Sequence, residues 1–596
     1  MTAVLSPAAR ADAIARMAEG ELDVLVVGGG VVGAGSALDA VTRGLTTAIV
    51  EARDWASGTS SRSSKLIHGG LRYLEMLDFG LVREALTERG LLLDRIAPHL
   101  VRPVPFLYPL RHRVWERAYV GAGVALYDGM AYTSGTARGL SGTGSSGTSG
   151  TSGTSGTLGT GSSGTGRGLR RHRHLSRRRA LREAPCLRKD ALTGAIQYWD
   201  ALVDDARHTV TVVRTAASFG ALAANRVEVT GFLRQGERVT GAAVTDLETG
   251  RRFEVHAKQV INATGVWTDD TQALADTRGQ FHVRASKGIH LVVPRDRLPS
   301  STGLILRTEK SVLFVIPWGR HWIIGTTDTE WSLAKAHPAA SSSDIDYLLE
   351  HVNSVLSLPL TREDVEGVYA GLRPLLSGES ESTSKLSHEH VVGHPVPGLV
   401  VVAGGKYTTY RVMAADAIDE AARTMDALVP ASCTASLPLI GADGYRALWN
   451  QRRALAATAG IHVARVEHLL NRYGSCVFEL LEMIRSDPSL ASPLPGADDY
   501  LAAEARYAVT HEGALHLDDV LTRRTRISIE AWDRGVACAP TVAGLMAGVL
   551  GWSEEERERE VSLYLARVAA ERESQTKPDD DAAEAARMEA PDIATR

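Results

Sequence analysis

Apolar positions along the chain follow two periods, and the change between them divides it. From Leu22 to about residue 430, short apolar runs of strand length recur: 24–27, 47–50, 259–262, 289–293, 312–316, 322–324 and 399–402. Helical stretches lie between several of them, which predicts a mixed α/β body. Beyond 431 the 3.6-residue period dominates, and it predicts helices over 445–458, 463–473, 476–484, 498–510 and 553–570. A separate helical C-terminal domain is therefore expected over 431–570. Residues 1–20, where Ala alternates with Arg, Asp and Glu, read as one short helix.

Three segments depart from this patterning. Residues 134–168 are almost wholly Gly, Ser and Thr in repeated Ser-Gly-Thr triplets, a composition that buries little and predicts a flexible surface insertion. Residues 167–182 carry a run of arginines, a solvated face or a contact for acidic lipid. The acidic, alanine-rich stretch 571–596 is expected to be a disordered tail. Between 106 and 127 the aromatics Phe106, Tyr108, Trp115, Tyr119 and Tyr127 interleave with Arg111, Arg113 and Arg117, the composition of an interfacial segment or of an ordinary helix.

Composition narrows the function. The 596 residues carry 66 Lys plus Arg against 70 Asp plus Glu, a formal net charge of −4, so no nucleic-acid partner is expected. No apolar run approaches membrane-spanning length, and residues 1–20 lack the apolar region of a secretory signal. The four cysteines form no C-x-x-C pair, so no metal site is expected and the usage fits a reducing compartment.

The strongest local signal opens the body. Asp23-Val24-Leu25-Val26-Val27 reads as a buried strand, Gly28-Gly29-Gly30-Val31-Val32-Gly33 follows at once, and a helix comes next. In this setting Gly28 permits the tight turn, Gly30 lets the backbone approach a pyrophosphate, and Gly33 lets helix and strand pack closely. The helix N-terminus offers free N–H groups to the phosphates. A second strand ends at Glu51, placed to accept hydrogen bonds from a ribose 2′-hydroxyl, which favours FAD or NAD over NADP. Two further strands run into small-residue turns, Asn262-Ala263-Thr264-Gly265 and Val402-Ala403-Gly404-Gly405. Turns spread over so long a stretch suit a long cofactor wrapped by a discontinuous domain, which points to FAD.

The segment Thr59-Ser60-Ser61-Arg62-Ser63-Ser64-Lys65-Leu66-Ile67-His68-Gly69-Gly70-Leu71-Arg72-Tyr73-Leu74-Glu75 resembles the signature of FAD-dependent glycerol-3-phosphate dehydrogenases. So do Val203-Asp204-Asp205-Ala206-Arg207, Ile323-Ile324-Gly325-Thr326-Thr327-Asp328, Gly371-Leu372-Arg373-Pro374-Leu375 and Gly404-Gly405-Lys406-Tyr407-Thr408-Thr409-Tyr410-Arg411. The likeness covers about 22–413, and the helical region with Asp518-Asp519-Val520-Leu521-Thr522-Arg523-Arg524-Thr525 is similar to that family's C-terminal domain. The resemblance implies a D-amino-acid-oxidase-like flavoenzyme that oxidises sn-glycerol 3-phosphate to dihydroxyacetone phosphate. Electrons would pass to a membrane quinone, with the protein cytoplasmic and peripheral on the inner face of the membrane; a homodimer is compatible with the sequence. The alternatives are an oxidase using oxygen, an amine or amino-acid oxidase on the same fold, and a non-catalytic flavoprotein.

The implied architecture is a discontinuous Rossmann-like FAD domain (21–100, 195–275 and 390–430), a mixed-sheet substrate domain (101–194 and 276–389) and the helical C-terminal domain. A phosphate dianion needs fixed cations, and Arg72, Arg373 and Lys406 match substrate-contacting positions, with Tyr73 beside them. His68 and His290 are the candidate bases, His68 being preferred. Ser60, Ser61, Ser64 and Lys65 are expected at the cofactor's phosphates and flavin edge, together with Gly265, Asp328, Gly404 and Gly405. Thr408 and Thr409 are expected to present N–H groups to the reduced flavin.

Overall fold

The computed structural model describes residues 4–70, 79–112, 115–136, 169–275, 282–308, 312–376, 390–426 and 428–592. The flexible character expected of the Ser-Gly-Thr insertion therefore falls outside the described residues from 137 to 168, and so do Arg72 and Tyr73.

Alternation of side chains along strands builds the first layer. Glu21–Val27 pairs in parallel with Arg252–Asn262 on one side and Thr47–Glu51 on the other, with Val26 opposite Ile261 and Ile49. Leu399–Gly404 and Leu222–Asn225 extend the parallel order outward, and His390–Val396 closes one edge antiparallel. Val24 and Val26 point to one face, where Ala34, Leu38, Val210, Val213, Met413 and Ala417 cover them from three helices. Leu25 and Val27 point to the other, under Ile14 and Met17 of the Pro7–Glu19 helix and the strands Val227–Gln235 and Arg238–Asp246. Burial on both faces explains why these strands read as continuous apolar runs.

A second, ten-stranded mixed sheet stands beside the first. Its order runs from Thr329–Trp331 through Val283–Pro294, His321–Gly325, Val312–Trp318, Gly303–Arg307, Val101–Leu110 and Gly194–Val203 to Leu66–Ile67. Gly367–Leu376 pairs along nearly the whole of Val283–Pro294. Gly194–Val203 belongs here, because it pairs residue for residue with Val101–Leu110. The first domain's second segment therefore begins near Asp204, where the Asp205–Ser218 helix starts, and not at 195. The 106–127 stretch is also divided. Phe106 lies buried in a strand, the Trp115–Thr136 helix follows, and Tyr127 is buried on its inner side.

The C-terminal domain is helical, as its periodicity predicts, with one revision and one correction. Residues 498–501 complete the strand Ala497–Leu501, and only then does the Ala502–Glu512 helix begin. The stretch from 571 is not a disordered tail. The Glu554–Ser574 helix runs into its first residues, and a last helix, Asp580–Arg587, buries Ala583, Ala586 and Arg587. Its acidic residues are fixed by distant partners: Asp580 pairs with buried Lys287, Glu584 accepts the Ala334 amide, and Asp592 holds Arg53 at 2.7 Å and His337 at 3.3 Å. Composition alone could not reveal partners more than 200 residues away.

Buried ion pairs join this domain to the first. Asp54 receives Arg523 and Arg524, the latter at 2.6 Å, and Arg207 pairs with Glu512. His516 sits between Glu248 of the first domain at 2.9 Å and Glu560 of its own at 3.0 Å.

Candidate active site

The ends of the parallel strands and one wall of the second sheet enclose a cavity of about 770 Å³. Strand ends in such sheets are where dinucleotides bind. Gly28 enters the turn at φ +111°, a conformation that L residues with side chains rarely adopt, and a Cβ there would press on the Ala263 carbonyl at 2.7 Å. A Cβ on Gly33 would collide with the Gly28 carbonyl oxygen, so helix and turn close on each other only with glycine at 33. Gly30 is the N-cap of the Val31–Thr42 helix and lines the cavity.

Glu51 stands where the second strand ends, with Oε2 accepting the Gly29 amide at 2.6 Å and Oε1 the Arg53 amide at 2.8 Å. Burial pushes its pKa above the usual carboxylate range, against the pull of those two amides. The Val31 amide, first in the helix, donates to Ser60 Oγ at 2.9 Å, so Ser60 sits at the helix N-terminus. Gly265 (φ +59°), Gly404 (φ +76°) and Gly405 (φ +75°) line the far side of the cavity with Lys406 and Thr408.

The serine loop is divided by the fold. Thr59, Ser60, Arg62, Ser63 and Ser64 face the cavity. Ser61 and Lys65 do not. The Lys65 ammonium is fully buried behind the loop, 2.9 Å from Asp205 and 3.1 Å from the Ser61 carbonyl oxygen. Burial and then the nearby Arg526 push its pKa down to about 8. Thr409 likewise turns back, its hydroxyl on the Lys406 carbonyl oxygen at 3.4 Å.

One end of the cavity gathers the groups that suit a polar substrate. Arg373 projects from the Gly367–Leu376 strand, and its Nη2 reaches Thr326 Oγ1 at 3.1 Å and the Thr327 carbonyl oxygen at 3.2 Å. Asp328 is not on the cavity wall; it pairs with Arg373 Nη1 at 3.2 Å and accepts from Ser286, which aims the guanidinium. His68 lines the cavity in a turn pinned from two sides. Thr408 Oγ1 lies 3.3 Å from both the His68 amide and its carbonyl oxygen, and the next amide, of Gly69, donates to Tyr127 Oη at 2.8 Å. His290 stacks on Tyr369 at 4.7 Å, and its Nε2 lies 2.8 Å from Ser64 Oγ. Burial first, then the charges of Arg373 and Lys65, hold it well below the usual imidazole pKa, so it is neutral at neutral pH.

Three supporting residues escaped sequence reasoning: Tyr127, Tyr369 and Asp205. Tyr127 stood among aromatics that read equally well as a surface face. Tyr369 carries no local signal, yet its hydroxyl donates to the Ser63 carbonyl oxygen at 3.0 Å. Asp205 stood within the Val203-Asp204-Asp205-Ala206-Arg207 motif of the resemblance, but with no role assigned to it.

The cavity suits a long dinucleotide: a glycine turn closed to side chains, a helix N-terminus, a buried strand-end carboxylate, and a second glycine turn opposite them. Comparison with known proteins agrees. Residues 23–411 match the family described as FAD dependent oxidoreductase, and residues 432–557 match the C-terminal domain of alpha-glycerophosphate oxidase. The chain is 56% identical to glycerol-3-phosphate dehydrogenase 2 of Mycobacterium tuberculosis over 99% of its own length and 95% of that protein's. It is 36% identical to the mitochondrial glycerol-3-phosphate dehydrogenase of Homo sapiens, over 91% of this chain and 72% of that one. The crystal structure of the Bacillus halodurans glycerol-3-phosphate dehydrogenase complexed with FAD superposes with a TM-score of 0.74 at 28% identity, covering 95% of this chain and 98% of that one. The protein is an FAD-dependent enzyme, and its chain belongs to the glycerol-3-phosphate dehydrogenase family.

Proposed function

We propose that the enzyme oxidises sn-glycerol 3-phosphate to dihydroxyacetone phosphate and passes the electrons to a membrane quinone. The observation that carries this reading is the convergence of Arg373, Lys406, His68 and His290 on one cavity that also contains the dinucleotide turn. Arg373 and Lys406, joined by Arg72 outside the described residues, hold the substrate phosphate; the planar guanidinium, aimed by Asp328, suits bidentate contact with two phosphate oxygens. FAD, when bound, supplies the two-electron acceptor for the hydride that leaves C2.

His68 takes the proton of the C2 hydroxyl as the carbonyl forms. His290 is the weaker candidate, because its Nε2 is engaged by Ser64 and its Nδ1 is buried. Its part is to hold Ser64. The Ser60 hydroxyl, which already accepts the Val31 amide, and the amides that follow it in the first turn would hold the cofactor phosphates, and Glu51 would bind a ribose hydroxyl. Amides near Thr408, on the cavity wall, would stabilise negative charge on the reduced flavin.

Attachment to the cytoplasmic face of a membrane is supported by one patch. Tyr119 is 54% and Leu126 45% exposed on the Trp115–Thr136 helix. His172 binds Asp128 of that helix at 2.7 Å, which sets the exposed Arg170, Arg171, Arg173, Arg177, Arg178 and Arg179 beside it. Exposed aromatic and apolar groups beside a basic run suit an anionic lipid surface.

The decisive experiment compares sn-glycerol 3-phosphate with glycerol as reductants and a quinone with oxygen as acceptors. Loss of turnover without the phosphate, and turnover with quinone in excess of peroxide formation, support the reading. Equal rates with glycerol reject the phosphate-binding role. One peroxide formed per substrate, undiminished by quinone, marks an oxidase instead.

A further inference from the structure

The serine loop on the cavity wall is held from behind by a residue of another domain. Arg526 follows the Asp519–Arg524 turn of the C-terminal domain and is buried. Its Nη1 donates to the Ser61 carbonyl oxygen at 3.2 Å, its Nη2 reaches Asp204 Oδ1 at 2.6 Å, and it pairs with Asp205. Asp205 is the hub. Its Oδ2 accepts the Ser63 amide at 2.9 Å and the Ser63 hydroxyl at 2.7 Å, while its Oδ1 receives the Lys65 ammonium at 2.9 Å.

This hub fixes an unfavourable backbone. Lys65 adopts φ +56°, the left-handed region that residues with side chains seldom enter unless their surroundings impose it. Its ammonium, bonded to Asp205 and to the Ser61 carbonyl oxygen, spans the loop it terminates. The intervening Ser64 presents its hydroxyl to His290 Nε2. An unbroken path of hydrogen bonds and one peptide link thus runs from Arg526 through Asp205 and Ser63 to Ser64 and His290 on the cavity wall.

We propose that Arg526 is a positioning residue for the redox site: through Asp205 it sets the Ser63-Ser64 wall and the orientation of His290, which makes the C-terminal domain part of the catalytic apparatus. The inference rests on the functional reading above only for its choice of substrate. Stability alone is a poor account of Arg526, because Asp204 keeps Arg472 at 3.1 Å and Asp205 keeps Lys65 when Arg526 is shortened. Lys65 keeps its own link between Asp205 and the Ser61 carbonyl oxygen; what a shorter cation loses is the single planar fork that holds Ser61, Asp204 and Asp205 together.

Two variants approach the path from opposite ends. Arg526→Lys keeps the charge and removes the fork; Ser63→Ala removes the hydroxyl bond to Asp205 on the loop side and leaves the amide bond in place. Holoenzyme of each, and of the double variant, is mixed anaerobically with sn-glycerol 3-phosphate, and the flavin midpoint potential and absorption envelope are recorded without substrate. Each single variant is expected to retain FAD, bind substrate within about threefold of the parent and slow flavin reduction about tenfold, with the double variant no slower than about twice either. Displaced flavin bands or potential in both single variants are expected with or without a competent substrate, so a failed substrate assignment remains distinguishable. Reduction rates within about twofold of the parent, effects that multiply in the double variant, or an unmoved flavin spectrum and potential each overturn the proposal. Should Arg526→Lys fail to fold, Ser63→Ala alone decides by the same two readouts.

Discussion

Tyr127 accepts the Gly69 amide hydrogen across 2.8 Å, one residue beyond His68. The same hydroxyl donates to Asp200 at 2.6 Å and receives Arg89 at 3.0 Å, so a helix of the second domain reaches through a buried network to the turn that carries the candidate base. Tyr127→Phe leaves Gly69 and Asp200 each short of a partner. A loss of stability of about 1–3 kcal/mol is expected, with a fall in kcat that exceeds any change in FAD content. Thermal unfolding and steady-state kinetics on flavin-saturated protein check it; an unchanged kcat separates Tyr127 from the His68 turn.

Arg373→Ala removes a guanidinium already aimed by Asp328 and Thr326. Charge-assisted hydrogen bonds contribute about 1.5–3 kcal/mol, so KM for the phosphorylated substrate should rise roughly 10- to 100-fold while FAD stays bound. A KM within twofold of the parent takes this residue out of the phosphate site.

Gly33→Ala puts a methyl group into the Gly28 carbonyl oxygen. The turn must open, and the purified variant should lose most of its flavin. The ratio of flavin to protein absorbance is the measurement, and full occupancy would show that the turn tolerates the change.

His516 provides a pH signature. Burial alone would lower its pKa, but Glu248 and Glu560 reverse that and raise it to about 9. A folded pKa above the unfolded value near 6.5 stabilises the folded protein fully below about pH 6.5 and loses that contribution as pH rises through about 9. The loss is on the order of 3 kcal/mol. Lys65, pushed the other way, has the opposite slope. Unfolding midpoints of the parent and His516→Gln across this range should converge as pH rises. A constant difference would show that the charge on His516 is not what joins the domains.

Deleting residues from 578 onward strips Asp580 from the buried Lys287 and Asp592 from Arg53, whose side chain lies beside Glu51 at the cavity. A lower unfolding temperature and faster flavin loss are expected on dilution. Unchanged retention would confine the last helix to the surface.

What the sequence revealed follows from the range of the interactions involved. The dinucleotide turn was legible because Gly28, Gly33 and the strands around them act locally, within a single strand–turn–helix unit. The helices at 445 and 463 were legible because one apolar face repeats over several turns. Arg373 and Lys406 could be placed through the motifs around them, but nothing near Lys65 in sequence reveals that its ammonium turns away toward Asp205. The sheet membership of Gly194–Val203 depends on pairing with a strand about ninety residues earlier, and the order of 571–592 depends on Lys287, His337 and Arg53. Long-range pairing of polar groups, unlike periodic burial, leaves no repeating mark on the chain.

The central claim is that a bound FAD and a phosphate-gripping pocket share one cavity. Anaerobic titration of the holoenzyme with sn-glycerol 3-phosphate tests it most directly: the yellow flavin band should bleach fully, with one dihydroxyacetone phosphate formed per flavin reduced. A flavin that stays oxidised through a large excess of that substrate, in protein that binds FAD fully, would contradict it.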